Sequence, residues 1–223
     1  MKACKVLPVF SLVLLSSAAA FAQDPVKVDP AHYKVVFENA SVRVLRIDYA
    51  VGAKSTMHQH PDAIVVPLGA SKVRFATPDG KSEDRDMASE VALYTPAVTH
   101  SPSNVGTGKV DGLLVEFKAK APGTAALPDT RANLAMKMLA EGPRAIAYRT
   151  TADPTFEEPA GTKHEYDQVV IALGSAQMSL TIDGKPAKTT WNRGDVQFIG
   201  RGVAHQAKNT GGKPVDFVII SIK

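Results

Sequence analysis

The chain has 223 residues, a formal net charge of +4 and a single cysteine, Cys4. One cysteine excludes an intramolecular disulfide and a cluster of thiolate metal ligands. No long run of lysine or arginine occurs, so the sequence gives little support to binding of nucleic acid or of a membrane surface.

Residues 1–22 have the pattern of a secretory signal peptide. Lys2 and Lys5 form a basic start, residues 6–15 an apolar stretch, and residues 20–22 an A-x-A cleavage signal. The apolar stretch is shorter than the roughly 20 residues that span a bilayer, so a retained membrane anchor is not expected. We therefore expect cleavage after residue 22 and a mature protein in the periplasm of a bacterium or outside the cell.

The remainder of the chain contains an internal duplication. A shared histidine and asparagine at one constant spacing indicate duplication rather than chance, so we expect two similar domains at 23–118 and 145–223, joined by a linker at 119–144. The recurring elements, each 105 residues apart, are Leu68-Gly69, His100, Asn104, Val110-Asp111 and Lys118, matched by Leu173-Gly174, His205, Asn209, Val215-Asp216 and Lys223.

Both repeats have the pattern of short strands. Continuous apolar runs at 64–68 and 169–173 predict buried strands. Alternation of apolar and polar residues at 178–182 predicts a half-buried strand. Each repeat closes with a β-rich segment, at 113–117 and 217–222. The predicted fold class is all-β.

The linker at 119–144 has a different composition. Pro122 and Pro128, each beside a turn-forming residue, are typical of a loop. Asp129 or Thr130 could cap a short helix from Arg131 to about Ala140. That helix would place three apolar side chains against a neighbouring domain: Leu134, Met138 and Leu139.

The first repeat contains a histidine pattern typical of a metal site. Residues 52–60 have the form G-x5-H-x-H, which ends in His58 and His60. Two residues apart on a strand, these imidazoles leave the same face and suit one metal ion. A third histidine, His100, lies on a later predicted strand. The matching segment of the second repeat, 194–209, reads G-x5-G-x-G-x2-H-x3-N.

Together these two segments resemble the motifs of the cupin superfamily, G-x5-H-x-H-x3–4-E-x6-G and G-x5-P-x-G-x2-H-x3-N. The resemblance covers nearly all of the chain after residue 22 and makes it similar to a bicupin. It implies two tandem jelly-roll β-barrels, with a metal held inside by the histidines and the motif glutamate. Because cupins commonly dimerise, it also implies a possible homodimer.

The first repeat departs from this pattern at the glutamate. Ala63 stands in the glutamate position, and the side chain of the adjacent Asp62 is expected to point away unless the strand bulges. His58, His60 and His100 remain and are the predicted metal ligands. Three neutral imidazoles leave a divalent ion its full charge, which suits Fe, Zn, Ni or Cu with open positions for water or substrate.

The second repeat allows two registrations. The constant spacing aligns Lys163 and Glu165 with the histidine pair of the first repeat. Spacing within the motif instead makes His164 the second histidine, with Thr162 in place of the first and Gln168 in the glutamate position. We favour the motif spacing. It predicts a possible second site, weaker and largely neutral, or a polar pocket, formed by His164, Gln168 and His205.

Two classes of function are consistent with this sequence. One is a metal-dependent enzyme, with dioxygenase-like oxidation of a small organic molecule as the leading reaction, or carbonyl polarisation if the ion is Zn²⁺. The other is a non-catalytic exported protein that binds a metal or small ligand, or serves as a scaffold. No catalytic residue stands out; Asp62, Glu165 and Tyr166 are candidates for acid–base roles, and Tyr166 and Trp191 are expected to pack on barrel surfaces.

Overall fold

The computed structural model describes residues 23–118 and 131–223. The predicted signal peptide and the predicted helix caps Asp129 and Thr130 lie outside these residues. Within them the chain is nearly all β, as predicted, with a single helical turn, α1 (Pro25–Val28). No helix in the described part of the chain is long and apolar enough to cross a membrane.

Nine strands follow α1 in the first repeat and eight form the second. Those of the first repeat are β1 (Tyr33–Glu38), β2 (Val42–Tyr49), β3 (His58–His60), β4 (Ala63–Pro67), β5 (Ser71–Ala76), β6 (Ser82–Met87), β7 (Leu93–Thr95), β8 (Val98–Asn104) and β9 (Val110–Phe117). Those of the second are β10 (Leu134–Glu141), β11 (Ala145–Ala152), β12 (Asp167–Ala172), β13 (Ala176–Ile182), β14 (Lys185–Trp191), β15 (Val196–Ile199), β16 (His205–Asn209) and β17 (Val215–Ile222).

Each repeat pairs a five-stranded sheet with a smaller one. The large sheets have the orders β1-β2-β9-β4-β7 and β10-β11-β17-β12-β15, so the same succession of strands occurs twice. The smaller sheets are β3-β8-β5-β6 and β14-β13-β16. Two antiparallel sheets enclosing one core form a jelly-roll barrel, and the chain contains two.

The inner strands of the large sheets are buried on both faces, whereas the edge strands β1 and β10 are largely exposed. In β2, Val44 belongs to an apolar cluster that both repeats share, whereas the adjacent Leu45 packs inside the first barrel. Leu113 and Leu114 of β9 divide in the same way. Since successive side chains leave opposite faces of a strand, one face of each large sheet meets the other repeat and one lines its own barrel. Burial on both faces explains the continuous apolar runs.

The predicted helix at 131–140 does not form, because Leu134–Glu141 is strand β10. It pairs with β11 and has a bulge between Met138 and Ala140, as β1 has between Val35 and Phe37 against β2. Leucine, alanine, methionine and lysine favour a helix by only tenths of a kcal/mol per residue, which pairing and burial outweigh. Leu134 and Leu139 pack on the core as predicted, but Met138 is 54% exposed.

The duplicated asparagines hold equivalent loops closed. The amide nitrogen of Asn104 donates to three main-chain oxygens, including that of Gly108 at 2.8 Å, and its oxygen accepts from Gly106 N. Asn209 makes the matching four bonds in the second repeat. Both side chains are buried. Their recurrence therefore reflects a structural role.

Candidate metal centre

Strand pairing brings the three histidines of the first repeat together inside the barrel. His58 and His60 occupy the two ends of β3 with both side chains buried, and the register pairs His58 with His100 on β8. One nitrogen from each ring lies within 4.8 Å of the others. The rings are nearly perpendicular to one another, with the centroids of His58 and His100 5.1 Å apart. A motif spread over 43 residues thus forms one cluster.

The hydrogen bonds of His58 leave its second nitrogen available to a ligand. Its Nδ1 donates to the main-chain oxygen of Thr56 at 2.8 Å, with Ser55 Oγ at 3.2 Å. In the described residues, Nε2 of His58 and Nε2 of His100 are buried without a hydrogen-bond partner. Buried polar atoms are normally paired, and a neutral imidazole nitrogen is a common metal ligand. The cluster therefore fits a divalent transition metal.

Glu116 is a functional candidate that the sequence analysis missed. Its carboxylate, 1% exposed, accepts from His60 Nδ1 at 2.6 Å and from Arg43 Nε at 2.6 Å. Arg43 also donates to Asp24 at 2.5 Å. A carboxylate on the far nitrogen of a ligating histidine fixes its tautomer and raises its basicity. Glu116 is placed to perform this role for His60.

Glu116 replaces the absent motif carboxylate from the neighbouring strand. Ala63 and Glu116 are direct partners in the ladder between β4 and β9, and the small alanine leaves room for the larger side chain. In the second repeat the arrangement is reversed, because the longer side chain, Gln168, is on the first strand of the pair and the small Ser221 is on the second. The signal in the sequence was a charged residue at an inward-facing position of an apolar strand. Asp62 points away, as expected, and accepts from the Tyr94 hydroxyl.

Electrostatics keep His58 and His100 neutral. Burial, assisted by the neighbouring imidazoles, lowers the pKa of His58 to about 4 and that of His100 to about 3. In the second repeat, burial and the adjacent Arg131 lower the pKa of His164 to about 4, and burial lowers the pKa of His205. Neutral imidazoles at physiological pH are the form that binds a metal.

These shifts predict that the metal-free protein loses stability as the pH falls from 6.5 towards 4. In that interval the unfolded chain, with histidine pKa values near 6.5, binds protons that the folded chain does not. The free energy of unfolding therefore decreases on acidification. For His58, lowered to about 4, the loss at pH 5 is about 2 kcal/mol. Urea unfolding with chelator at pH 7 and pH 5 measures it.

His58→Gln is the control for this pH effect, since it removes one such group and should reduce the difference between the two pH values by that amount. Equal stability of the unaltered protein at pH 7 and pH 5 would contradict the prediction.

A cavity of about 400 Å³ adjoins the first cluster. His60 and His100 line it, so the candidate metal position opens into the cavity. A volume of a few hundred Å³ is typical of sites for small organic molecules. The rest of its wall is mostly apolar or aromatic and includes Tyr33, Tyr49, Val65, Val73, Phe75, Met87 and Leu114.

The second repeat follows the registration based on motif spacing. Thr162 bridges to His205 as His58 pairs with His100, so the threonine stands where the first histidine is lost. His164 lies beside His205, with ring centroids 4.8 Å apart, whereas Lys163 is exposed. Gln168 is buried in the wall of the same small cavity as His205.

Glu158 completes the second cluster and was not predicted. One carboxylate oxygen and one nitrogen each of His164 and His205 lie within 4.8 Å of one another. Glu158 comes from the loop before the motif, where no spacing pattern marks it. Its carboxylate also binds the guanidinium of Arg131 and accepts from the main-chain nitrogen of Ala207 at 3.0 Å.

The second barrel has far less free space than the first. Its cavity measures about 60 Å³, room for about two water molecules. Trp191 fills the barrel with Phe156, Met178 and Phe217 around it, and its indole donates to Met178 O at 2.9 Å. Tyr166 is buried and stacks on His164. The expectation that Trp191 and Tyr166 pack on the barrel surface is wrong, because both aromatic side chains are buried and Trp191 belongs to the core of the second barrel.

Two jelly-roll barrels in one chain, each with a histidine-containing cluster inside, define a bicupin architecture. No family description matches the sequence, and no curated protein matches it. Solved cupin-fold structures do match by shape.

Three of these structures show the extent of the likeness. AerE from Microcystis aeruginosa has a TM-score of 0.65 at 15% identity, over 86% of this chain and 97% of that one. Salicylate 1,2-dioxygenase from Pseudoaminobacter salicylatoxidans, as adducts with gentisate, has a TM-score of 0.61 at 11% identity, over 83% of this chain and 70% of that one. Oxalate decarboxylase from Lactobacillus farciminis, as a formate complex, has a TM-score of 0.59 at 12% identity, over 82% of this chain and 77% of that one. At such identities the likeness establishes the fold.

Proposed function

We propose that this protein binds one divalent transition-metal ion, Fe, Zn, Ni or Cu, through His58, His60 and His100. With that ion it carries out dioxygenase-like chemistry on a small organic molecule held in the adjoining cavity. The observation that carries the proposal is the pair of buried, unpartnered Nε2 atoms of His58 and His100 in the described structure, beside a cavity of about 400 Å³.

The protein's own residues prepare this site before any ion binds. Thr56 and Glu116 hold the Nδ1 atoms of His58 and His60, so each ring keeps its Nε2 free. A bound ion would supply a Lewis acid with open positions for substrate oxygen atoms or O₂.

The polar groups of the cavity include hydrogen-bond donors that suit a substrate with several oxygen atoms. Burial raises the pKa of Tyr33 and of Tyr49, so both phenols stay protonated and act as donors. The guanidinium of Arg85, 5.6 Å from the Phe75 ring centroid, pairs with Glu83 at 3.0 Å, and both residues line the cavity. Hydrogen-bond donors around a mostly apolar cavity suit a small acid or enol with oxygen atoms that chelate a metal.

The similar structures support this class of substrate. The names of two of them specify salicylate, gentisate and oxalate, which are small organic acids. A dioxygenase and a decarboxylase on one fold also agree with the principle that function depends on the site and not on the fold.

A non-catalytic role in binding a metal or ligand is the second candidate. It is favoured by Asp62, whose carboxylate points away from the cluster to Tyr94 and Ala97. Glu165 is exposed and lies in the second repeat. Tyr166 also lies in the second barrel, so all three acid–base candidates are away from the first site.

Elemental analysis and oxygen uptake test the proposal together. Protein purified without chelator should contain about one transition-metal ion per chain, and the loaded protein should consume O₂ with at least one of a panel of catechols, enols and small keto acids. A loaded protein that consumes no O₂ with any of them supports the binding role. A chain that cannot be loaded with Fe²⁺, Zn²⁺, Ni²⁺ or Cu²⁺ contradicts both.

We also propose that the protein is exported to the periplasm or the exterior of a bacterium. The basic start, apolar stretch and A-x-A signal of residues 1–22 support this proposal.

A further inference from the structure

A cation of the chain itself already lies at the second cluster. The guanidinium of Arg131 donates to Glu158 Oε1, and its second terminal nitrogen lies 3.4 Å from His164 Nε2. The side chains of Arg131 and Glu158 are only 22% and 8% exposed, respectively. Arg131 therefore contacts two of the three groups that could hold a metal in this barrel.

The ligand atoms of the second cluster face this guanidinium. Nδ1 of His164 lies 3.4 Å from the Tyr166 hydroxyl, and Nδ1 of His205 donates to the main-chain oxygen of Val203 at 3.1 Å. The Nε2 atoms therefore point inward, and that of His205 lies 3.6 Å from Glu158 Oε2. A metal in this barrel would have to occupy the region next to the arginine.

We propose that Arg131 is the resident cation of the second barrel. It excludes divalent metals from the cluster of Glu158, His164 and His205, which becomes a second metal site when the guanidinium is removed. This inference concerns the second barrel and goes beyond the proposed function of the first.

Charge balance supports the proposal. With neutral histidines, one carboxylate and one guanidinium give this cluster a net charge of zero. A buried carboxylate needs such a partner, and the planar guanidinium supplies several fixed donors. A divalent ion beside Arg131 would leave two units of uncompensated positive charge in a buried site, which is strongly unfavourable.

The first barrel shows the opposite arrangement. There the arginine, Arg43, binds the side of Glu116 that faces away from the ligand nitrogens, and Glu116 in turn contacts His60 through Nδ1. The guanidinium of Arg43 therefore does not contact the histidine Nε2 atoms of the first cluster. The two barrels place an arginine on opposite sides of a buried carboxylate, and only the second places it at the metal position.

Counting bound ions in variants of the full chain tests the proposal. After loading with Zn²⁺ and removal of free metal, Arg131→Gln should hold one more ion per chain than the unaltered protein. Adding Glu158→Gln to that variant should remove the gained ion. Arg131→Lys keeps a cation, and Arg74→Gln removes an exposed arginine that pairs only at the surface; neither should gain an ion.

The same counts in a His100→Ala background separate this proposal from the function proposed for the first barrel. Ions that remain there belong to the second barrel, whether or not the first binds metal. An unchanged count in folded Arg131→Gln overturns the proposal. His205→Gln in the otherwise unaltered protein gives an independent result if Arg131→Gln does not fold. An unchanged count supports the proposal, and the loss of one ion overturns it.

Discussion

His100→Ala should abolish metal binding by the first barrel. His100 supplies one of only three imidazoles in the cluster, and its Nε2 is buried with no other partner in the described structure. A site reduced from three protein ligands to two loses affinity by at least about 100-fold, since even the groups that orient a ligand contribute 10–100-fold. After dialysis against metal-free buffer, the count should fall from about one ion per chain to about zero.

The duplication provides a matched control for this variant. His205→Ala changes the same motif position in the second barrel and should leave the ion count unchanged, because the first cluster is intact. Trp191 is the only tryptophan and lies in the second barrel's core. Its fluorescence should be the same in His100→Ala as in the unaltered protein. Equal loss of metal in both variants would contradict the assignment of the ion to the first barrel.

The sequence predicts those parts of the site that depend on regular periodicity. His58 and His60 share a face because side chains alternate along a strand, and the sequence pattern predicts that His100 lies on a later strand. The continuous apolar runs predict strands, and the structure shows why they are continuous, since these inner strands of the large sheets are buried on both faces. These inferences need only local geometry and one repeat length.

The supporting charges could not be predicted in this way. Glu116 can contact His60 because its strand lies beside that of Ala63. Glu158 and Arg131 meet only when a loop and the segment before β10 are brought together. Ladder order and loop packing are tertiary properties, and no spacing in the chain encodes them. The helix-forming composition of Leu134–Glu141 was misleading for the same reason. This segment is a strand because it pairs with β11 in the folded sheet.

Glu116→Gln should weaken metal binding by the first barrel about 10–100-fold. The amide keeps the size of the side chain and can accept from His60 Nδ1, but it no longer supplies negative charge to the ring or to Arg43. Glu116→Ala should also lower the free energy of unfolding by about 2–3 kcal/mol. This is less than for a fully buried pair, because Asp24 remains bound to Arg43. Competition with a chromophoric chelator measures affinity, and urea unfolding measures stability.

Moving the carboxylate from β9 to the facing position on β4 separates the effect of Glu116 on metal affinity from its effect on stability. In Ala63→Glu with Glu116→Ala, the new carboxylate starts from the position directly opposite on β4, where the cupin motif has its glutamate. It should bind metal at least ten-fold more tightly than Glu116→Ala alone, because negative charge returns to the buried cluster. Stability should stay lower than in the unaltered protein, because a carboxylate directed at the ion no longer pairs with Arg43. If the exchange restored no affinity, charge would not be what Glu116 contributes, and its hydrogen bond to His60 would have to explain the whole effect.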